Sequence, residues 1–287
     1  MINYVIVTPV KDEEKYISFV LDSVISQTIK PAQWIIVDDG SIDKTRDIIA
    51  GYTATHEWIS CIETGNTGER KPGNRHLIAF YEGYKYLSIP NWEFIVKLDG
   101  DLSFEPNYFE KCFSYFNENK QLGICGGLIY NKVNGKLIPE QHPHFHVRGA
   151  TKIYKRSCWE KIGGIKIFPS YDTIDEVKAN SLGFHTRTFS DLKVVHHKFT
   201  GSSYGVWKSS VKNGIGDYVC GYHPVFMLGK CIKRLFFNKS WMESIGLLFG
   251  YFSGYLKGIQ QIDDKILIQY LRSQQLRYIF LKDSIWR

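Results

Sequence analysis

Short, wholly apolar runs separated by stretches of helical period fill the first 130 residues, and this alternation restricts the chain to few folds. Asn3–Val10 (NYVIVTPV) and Trp34–Val37 (WIIV) are apolar at successive positions, as strands covered on both faces must be. Between them Ile17, Val20, Leu21, Val24 and Ile25 recur at the three-and-four spacing of a helix with one buried stripe. The rhythm predicts further helices near 43–50, 74–87 and 107–116, and strands near 59–62, 93–98 and 123–130. Strand and helix in strict alternation describe an α/β protein with a doubly wound, mostly parallel sheet. Ligands of such sheets sit beyond the carboxyl ends of the strands, so the residues just after each strand are the ones to inspect.

After Tyr130 the rhythm breaks. Residues 131–150 are rich in Asn, Gly, Pro and His, including His142, His144 and His146, and read as a solvated surface loop, with metal binding by the three histidines as the other reading. A strand at 151–154, a short helix at 157–162, a Gly163-Gly164 turn and a helix at about 173–182 follow. The strand 192–195 then runs into His196-His197. Charge divides the chain. Residues 1–204 balance at 24 basic and 24 acidic side chains, whereas residues 205–287 hold 12 basic and 5 acidic, the whole of the net +7. Two domains are therefore expected, 1–204 and a helical, basic, aromatic region 205–287.

With 44% hydrophobic and 23% charged residues, wholesale disorder, collagen and coiled coil are excluded. None of the six cysteines forms a CxxC pair, which argues against a zinc knuckle and a disulfide framework and for a reducing compartment. Residues 1–7 have neither basic leader nor cleavage pattern and read as the start of a strand. The longest apolar run, Ile245 to Leu256, has 12 residues with three glycines, short of the roughly 20 that a spanning helix needs.

Three acidic sites fall where a ligand is expected. Asp38-Asp39-Gly40-Ser41 follows WIIV, Asp99-Gly100-Asp101 follows FIVKL, and Asp172 with Asp175 and Glu176 opens a predicted helix. Carboxylates at i and i+2 can turn toward one point, where a divalent cation relieves their repulsion and leaves coordination positions for phosphates. Each site also has a plainer reading. DGD occurs in polar turns, Asp38–Asp43 suits a turn and a helix cap, and Asp172–Asp175 suits a cap with acids in the first turn.

In order, these pieces resemble the family 2 glycosyltransferases of the GT-A nucleotide-diphospho-sugar transferase fold. The likeness covers residues 3–200 and rests on Val7-Thr8-Pro9-Val10-Lys11-Asp12-Glu13-Glu14, Ser26-Gln27-Thr28, Val37–Asp43 and Asp99-Gly100-Asp101. It implies transfer of a sugar from a nucleoside-diphosphate donor to an acceptor hydroxyl, with inversion and with Mn²⁺ or Mg²⁺. Residues 1–130 would then form the nucleotide half and 131–204 the acceptor half. By the resemblance, Pro9 and Glu14 line the nucleoside pocket, Asp38 and Asp39 lie at the base, Asp99 faces ribose or sugar, and Asp101 binds the metal with Asp99 beside it. Asp12 replaces the family's usual Asn. Asn74 and Arg75 stand near the usual basic-Asn pair, with Arg70 and Lys71 as other candidates for the diphosphate. The acceptor base falls on Asp172, preceded by Tyr171 rather than the usual Glu, or on Asp175. His196 or His197 would lie near the metal or diphosphate.

Residues 205–287 mix Lys and Arg with eleven or more aromatics. Such composition suits an interfacial helix at an anionic membrane, or helices packed on the catalytic domain with a solvated basic face. No nucleic-acid-binding motif accompanies the charge. The expected acceptor is a carbohydrate or lipid-linked molecule in cell-surface polysaccharide or glycolipid assembly. The expected location is the cytoplasm, at the inner face of the membrane. Nucleotidyl transfer would call for a glycine-rich, arginine-containing loop after the first strand, where Pro9-Val10-Lys11-Asp12 stands, and a dehydrogenase for G-x-G-x-x-G. A nucleotide- or sugar-binding protein without chemistry is the remaining alternative.

Overall fold

The computed structural model describes residues 2–65, 74–133, 135–198, 205–237 and 241–287. They form two compact units, 1–167 with 182–199, and 168–181 with 200–287.

In the first unit, β1 (Tyr4–Val10), β2 (Gln33–Asp38), β3 (Ile59–Glu63) and β4 (Phe94–Leu98) lie parallel in the order β3-β2-β1-β4. The sheet continues past β4 through β8 (Thr151–Lys155), β6 (Leu122–Val133), β9 (His185–His196) and a three-residue edge strand, β5 (Leu102–Phe104). A short strand β7 (Lys136–Pro139) folds back on β6. Here β8, β5 and β7 run against their neighbours while β6 and β9 keep the direction of β1, so the sheet is mixed but mostly of one sense.

Side-chain alternation explains the double winding. Tyr4, Ile6, Trp34 and Ile36 face helices α1 (Ile17–Ile25) and α4 (Tyr108–Glu118), packing with Val20, Val24, Phe109 and Phe113 in one core. The alternate residues Val7, Ile35 and Val37 meet α3 (Arg75–Tyr84) on the other face. That helix approaches so closely that a Cβ at Gly83 would stand 2.5 Å from Val37 Cγ2. Helix α5 (Arg156–Ile162) joins it there, with Trp159 6.0 Å from Phe80 and 5.2 Å from Tyr154 between ring centres. Helix α2 (Thr45–Thr53) contributes Ile49 to the α1 side.

The expected solvated loop 131–150 is corrected by the structure. Its start completes β6, β7 follows, and residues 144–146 lie along β9, where Thr188 N donates to His144 O (2.7 Å) and Thr186 Oγ1 to Phe145 O (2.7 Å). Phe145 and Val147, which alternate with the histidines, are buried and anchor the segment.

The second unit is helical: α6 (Tyr171–Ser181), α7 (Gly205–Val219), α8 (Pro224–Phe237), α9 (Trp241–Leu256) and α10 (Lys265–Ile279). Helix α6 groups here and not with residues 1–204, because Ile174 and Val177 share a core with Tyr218, Leu247, Tyr251, Leu267 and Leu271. Lys178 also pairs with Asp264 at 2.6 Å. Helices α7 and α9 touch backbone to backbone: a Cβ at Gly214 would come within 2.1 Å of Leu247 O, and one at Gly250 within 2.1 Å of Val211 O. Among the described residues no helix is long and apolar enough to cross a membrane.

Candidate active site

Strand order locates the site. β1 leads to β2 on one side and lies beside β4 on the other, so the direction of winding reverses between β1 and β4. The β1–β4 ladder covers Tyr4–Val7, while β1 stays paired with β2 through Val10. Beyond Val7 the two strands therefore part, and a crevice opens at their carboxyl ends, the usual ligand position of a wound sheet. Pro9 lies past the last β1–β4 rung, where its missing N–H breaks no bond to β4. A second concavity, bounded by Asn91, Trp92, Arg156 and Glu160, adjoins the amino end of β4 instead.

The turn after β2 is held almost entirely by protein groups. Asp38 is fully buried; its Oδ1 accepts from Ser41 N (3.0 Å) and Ser41 Oγ, and its Oδ2 from Arg46 Nε. Asp39 accepts a fork from Arg75, Nε to Oδ2 and Nη2 to Oδ1 at 3.0 Å each, and a third bond from Thr64 Oγ1 at 2.8 Å. The loop after β1 clamps this turn. Lys11 Nζ donates to the carbonyls of Asp39 and Gly40, and Ile42 N donates to Asp12 Oδ1. Asp12 takes φ 53°, the left-handed region that Asn and Asp tolerate best. Glu14 is exposed and accepts from Lys44 N at 3.2 Å, whereas Glu13 is 5% exposed and pairs with Lys198 at 2.6 Å.

The turn after β4 differs. Asp99 pairs with the buried Lys97, which also donates to Gly149 O at 2.6 Å. Burial raises the pKa of Asp99, against the pull of Lys97 and with the help of Asp101. Asp101 is 7% exposed; its Oδ2 meets His196 Nε2 at 3.1 Å, while its Oδ1 is buried with no hydrogen-bond partner among the described residues. A buried carboxylate oxygen without a donor is costly unless a ligand meets it. Carboxylate and imidazole together suit Mn²⁺ and accommodate Mg²⁺. Among the described residues no three His, Cys, Asp or Glu converge as a metal cage. The residues present fit such an ion.

The two histidines part company because neighbours on a strand face opposite ways. Burial alone would lower the pKa of His196, but its hydrogen bond to Asp101 and the charge of that residue raise it. His197 turns instead to Ser103 Oγ (2.8 Å) and stacks on Phe19 at 4.0 Å between ring centres. Burial and Lys132 lower its pKa.

Asn74 caps α3 through its backbone carbonyl, which accepts from Leu77 N at 2.9 Å. Arg70 and Lys71 lie outside the described residues. Asp172 and Asp175 are both on α6, in the second unit, with Asp172 partly exposed and Asp175 2% exposed. Thr64, Glu13 and Lys97 were not singled out by sequence. Thr64 directly follows β3, so the strand-end rule itself was enough to find it.

Comparison with known proteins bears on the family and the fold. The model of the family described as glycosyl transferase family 2 matches residues 5–171. The O-antigen chain rhamnosyltransferase WbaN of Salmonella anatum is 35% identical over 172 residues, 52% of this chain and 50% of the relative. The chain thus spans half the length of that curated relative. Mannosyltransferase PcManGT from Pyrobaculum calidifontis, solved with GDP-Man and Mn²⁺, superposes with a TM-score of 0.57 at 13% identity, covering 96% of this chain and 84% of that one. S. aureus TarS 1-349 with UDP-GlcNAc gives a TM-score of 0.54 at 18% identity, covering 96% and 81%. The fold is that of these GT-A transferases, and the chain belongs to glycosyl transferase family 2, a family of transferase enzymes.

Proposed function

We propose that the chain is a divalent-metal-dependent, inverting glycosyltransferase. It moves a sugar from a nucleoside-diphosphate donor to the hydroxyl of a carbohydrate or lipid-linked acceptor in cell-surface polysaccharide or glycolipid assembly. The observation that carries this reading is the buried Oδ1 of Asp101, without a hydrogen-bond partner among the described residues, beside His196 at the β1–β4 crevice. The named neighbours add support: one was solved with GDP-Man and Mn²⁺, another with UDP-GlcNAc, and WbaN is a rhamnosyltransferase.

In this reading Asp39, oriented by Arg75 and Thr64, accepts a hydrogen bond from the nucleoside, with Pro9 and the segment around Glu14 and Asp38 shaping that end of the pocket. Asp99 accepts from ribose or sugar hydroxyls. Asp101 and His196 would hold the Mn²⁺ or Mg²⁺ ion, which supplies neutralisation of the charge developing on the diphosphate. Asn74 and Arg75, at the start of α3, are the described residues nearest in sequence to the usual diphosphate-binding pair. Asp172 takes the proton of the attacking hydroxyl; its partial exposure favours it over the buried Asp175. Because the hydroxyl attacks in line, no covalent sugar–enzyme bond forms. The basic, aromatic composition of residues 205–287 supports a reaction at the inner face of a membrane.

Calorimetry tests the reading. UDP or GDP should bind with Mn²⁺ present and lose that metal-dependent binding in Asp101→Ala; unchanged affinity would remove the assignment. Asp172→Asn should keep donor binding and lose transfer, and retained turnover would move the base to Asp175. A thermal-shift screen of UDP-, GDP- and dTDP-sugars with Mn²⁺ identifies the donor.

A further inference from the structure

Two helices of the second unit turn apolar faces outward. On α8, Val225, Leu228, Ile232, Leu235 and Phe236 are each more than 40% exposed. At 3.6 residues per turn they fill an arc of about 100°. Its opposite side, with Phe226, Met227 and Cys231, is buried. On α9 the exposed residues Trp241, Met242, Ile245, Phe249, Phe252 and Leu256 fill another arc of about 100°, with Tyr255 beside it. The buried side of α9 carries Gly246, Gly250 and Gly254, the residues that let α7 approach. Surface helices ordinarily present the reverse pattern, charge outward and carbon inward. Exposed apolar area on this scale marks a surface that something covers.

The surrounding charge identifies the occupant. Helix α8 carries Lys230, Lys233 and Arg234 and no acid, and α9 carries only Glu243. Lys230 is held by Asp217 at 2.7 Å, whereas Lys233 is exposed at the edge of the α8 arc. Aromatic and aliphatic side chains together with Lys and Arg, on helices too short to span, fit the headgroup boundary of an anionic bilayer.

We infer that α8 and α9 are the membrane-inserting elements of this chain, lying in the plane of an anionic bilayer with these two arcs among the headgroups and upper acyl carbons. The inference rests on the placement of residues 205–287 at a membrane and not on the transfer chemistry. It goes further by assigning binding to apolar insertion through two named faces, with charge setting lipid preference.

The test uses the full chain and vesicles of phosphatidylcholine with or without phosphatidylglycerol. The wild type should float with the anionic vesicles. Ile232→Glu with Phe249→Glu should lower its partitioning by roughly a hundredfold, since two buried apolar groups are replaced by charges that anionic lipid repels. Lys233→Glu should chiefly reduce the preference for phosphatidylglycerol. Both replaced apolar residues are exposed, so matching circular-dichroism melting curves are expected of the double variant. Brominated lipid should quench Trp241 in the wild type, and Trp241→Phe should remove that part of the quenching; this readout stands even if the double variant misfolds. Equal flotation of wild type and double variant would overturn the assignment to α8 and α9 while leaving membrane contact by other parts of 205–287. Absence of wild-type flotation would overturn both. A dimer in sedimentation that the double variant breaks, without flotation, would show that a second copy covers the arcs and would also overturn the inference.

Discussion

The turns after β2 and β4 look alike in sequence, two aspartates and a glycine beyond a buried strand, yet they are finished in opposite ways. In the first, Ser41, Arg46, Arg75 and Thr64 supply donors to all four carboxylate oxygens of Asp38 and Asp39. In the second, Lys97 serves Asp99 and His196 serves one oxygen of Asp101, and the other oxygen has no hydrogen-bond partner among the described residues. A saturated carboxylate holds a loop in place or presents a remaining lone pair to a ligand. A buried one without a donor on one oxygen is the candidate cation site proposed above. The pair shows that two turns of similar acidic composition differ in the donors around each oxygen.

Substitutions separate the two turns. The largest effect is expected at Asp101: Asp101→Asn should cut turnover about a thousandfold, on the scale of losing one electrostatic stabiliser, with little change in melting temperature. Comparable turnover in that variant would erase the contrast. Asp38→Ala should act the other way, destabilising the fold by about 1–3 kcal/mol because the buried Ser41 N–H and hydroxyl lose their acceptor. The measurement is chemical denaturation, and nucleotide affinity per folded molecule should fall less than in Asp39→Ala.

Asp39→Ala should fall between these, weakening nucleotide binding by about 10–100-fold, the range of one charge-assisted hydrogen bond. Arg75→Gln should weaken binding less, and should leave the melting temperature little changed because Arg75 is partly exposed. Equal effects of the two on affinity would give Arg75 a direct ligand role.

The smallest effect is a titration. Burial would raise the pKa of Asp43, but bonds from Thr45 and from the backbone of Glu14 and Thr45 outweigh it and hold it below the ordinary aspartate value. A depressed folded pKa means that its contribution to stability is present above the ordinary aspartate pKa and is lost as pH falls through the lower one. Carbon-detected NMR should find a low midpoint in the wild type and a higher one in Thr45→Val. No difference would show that Thr45 does not hold the Asp43 carboxylate.

Much of the winding was legible because strands buried on both faces must be continuously apolar, and β1, β2 and β4 are. The three-residue β5 and the hairpin strand β7 were not. Each is too short for a periodic signal, and the exposed Leu137 and Ile138 of β7 sit among polar residues typical of loops. In β9 only 192–195 reads as strand, since its first half alternates Thr and Phe with polar residues and pairs with β6 across a register shift at Gly127/Leu128. The strand-end rule singles out Asp39, Asp101 and His196 as candidates, and the structure sets Asp101 beside His196. The rule did not separate Asp38 from Asp39, because the difference lies in Arg46 and Arg75, side chains 8 and 36 residues away from their partners. Nor did it separate Glu13 from Glu14, since only the fold brings Lys198 against one of them.

The most direct test of the cation assignment is electron paramagnetic resonance of Mn²⁺ added to the chain with UDP or GDP. Nucleotide-dependent uptake of one Mn²⁺ per chain is predicted, with nitrogen coupling that disappears in His196→Ala and uptake that disappears in Asp101→Asn. A nucleotide-bound Mn²⁺ signal indifferent to both substitutions would contradict the account.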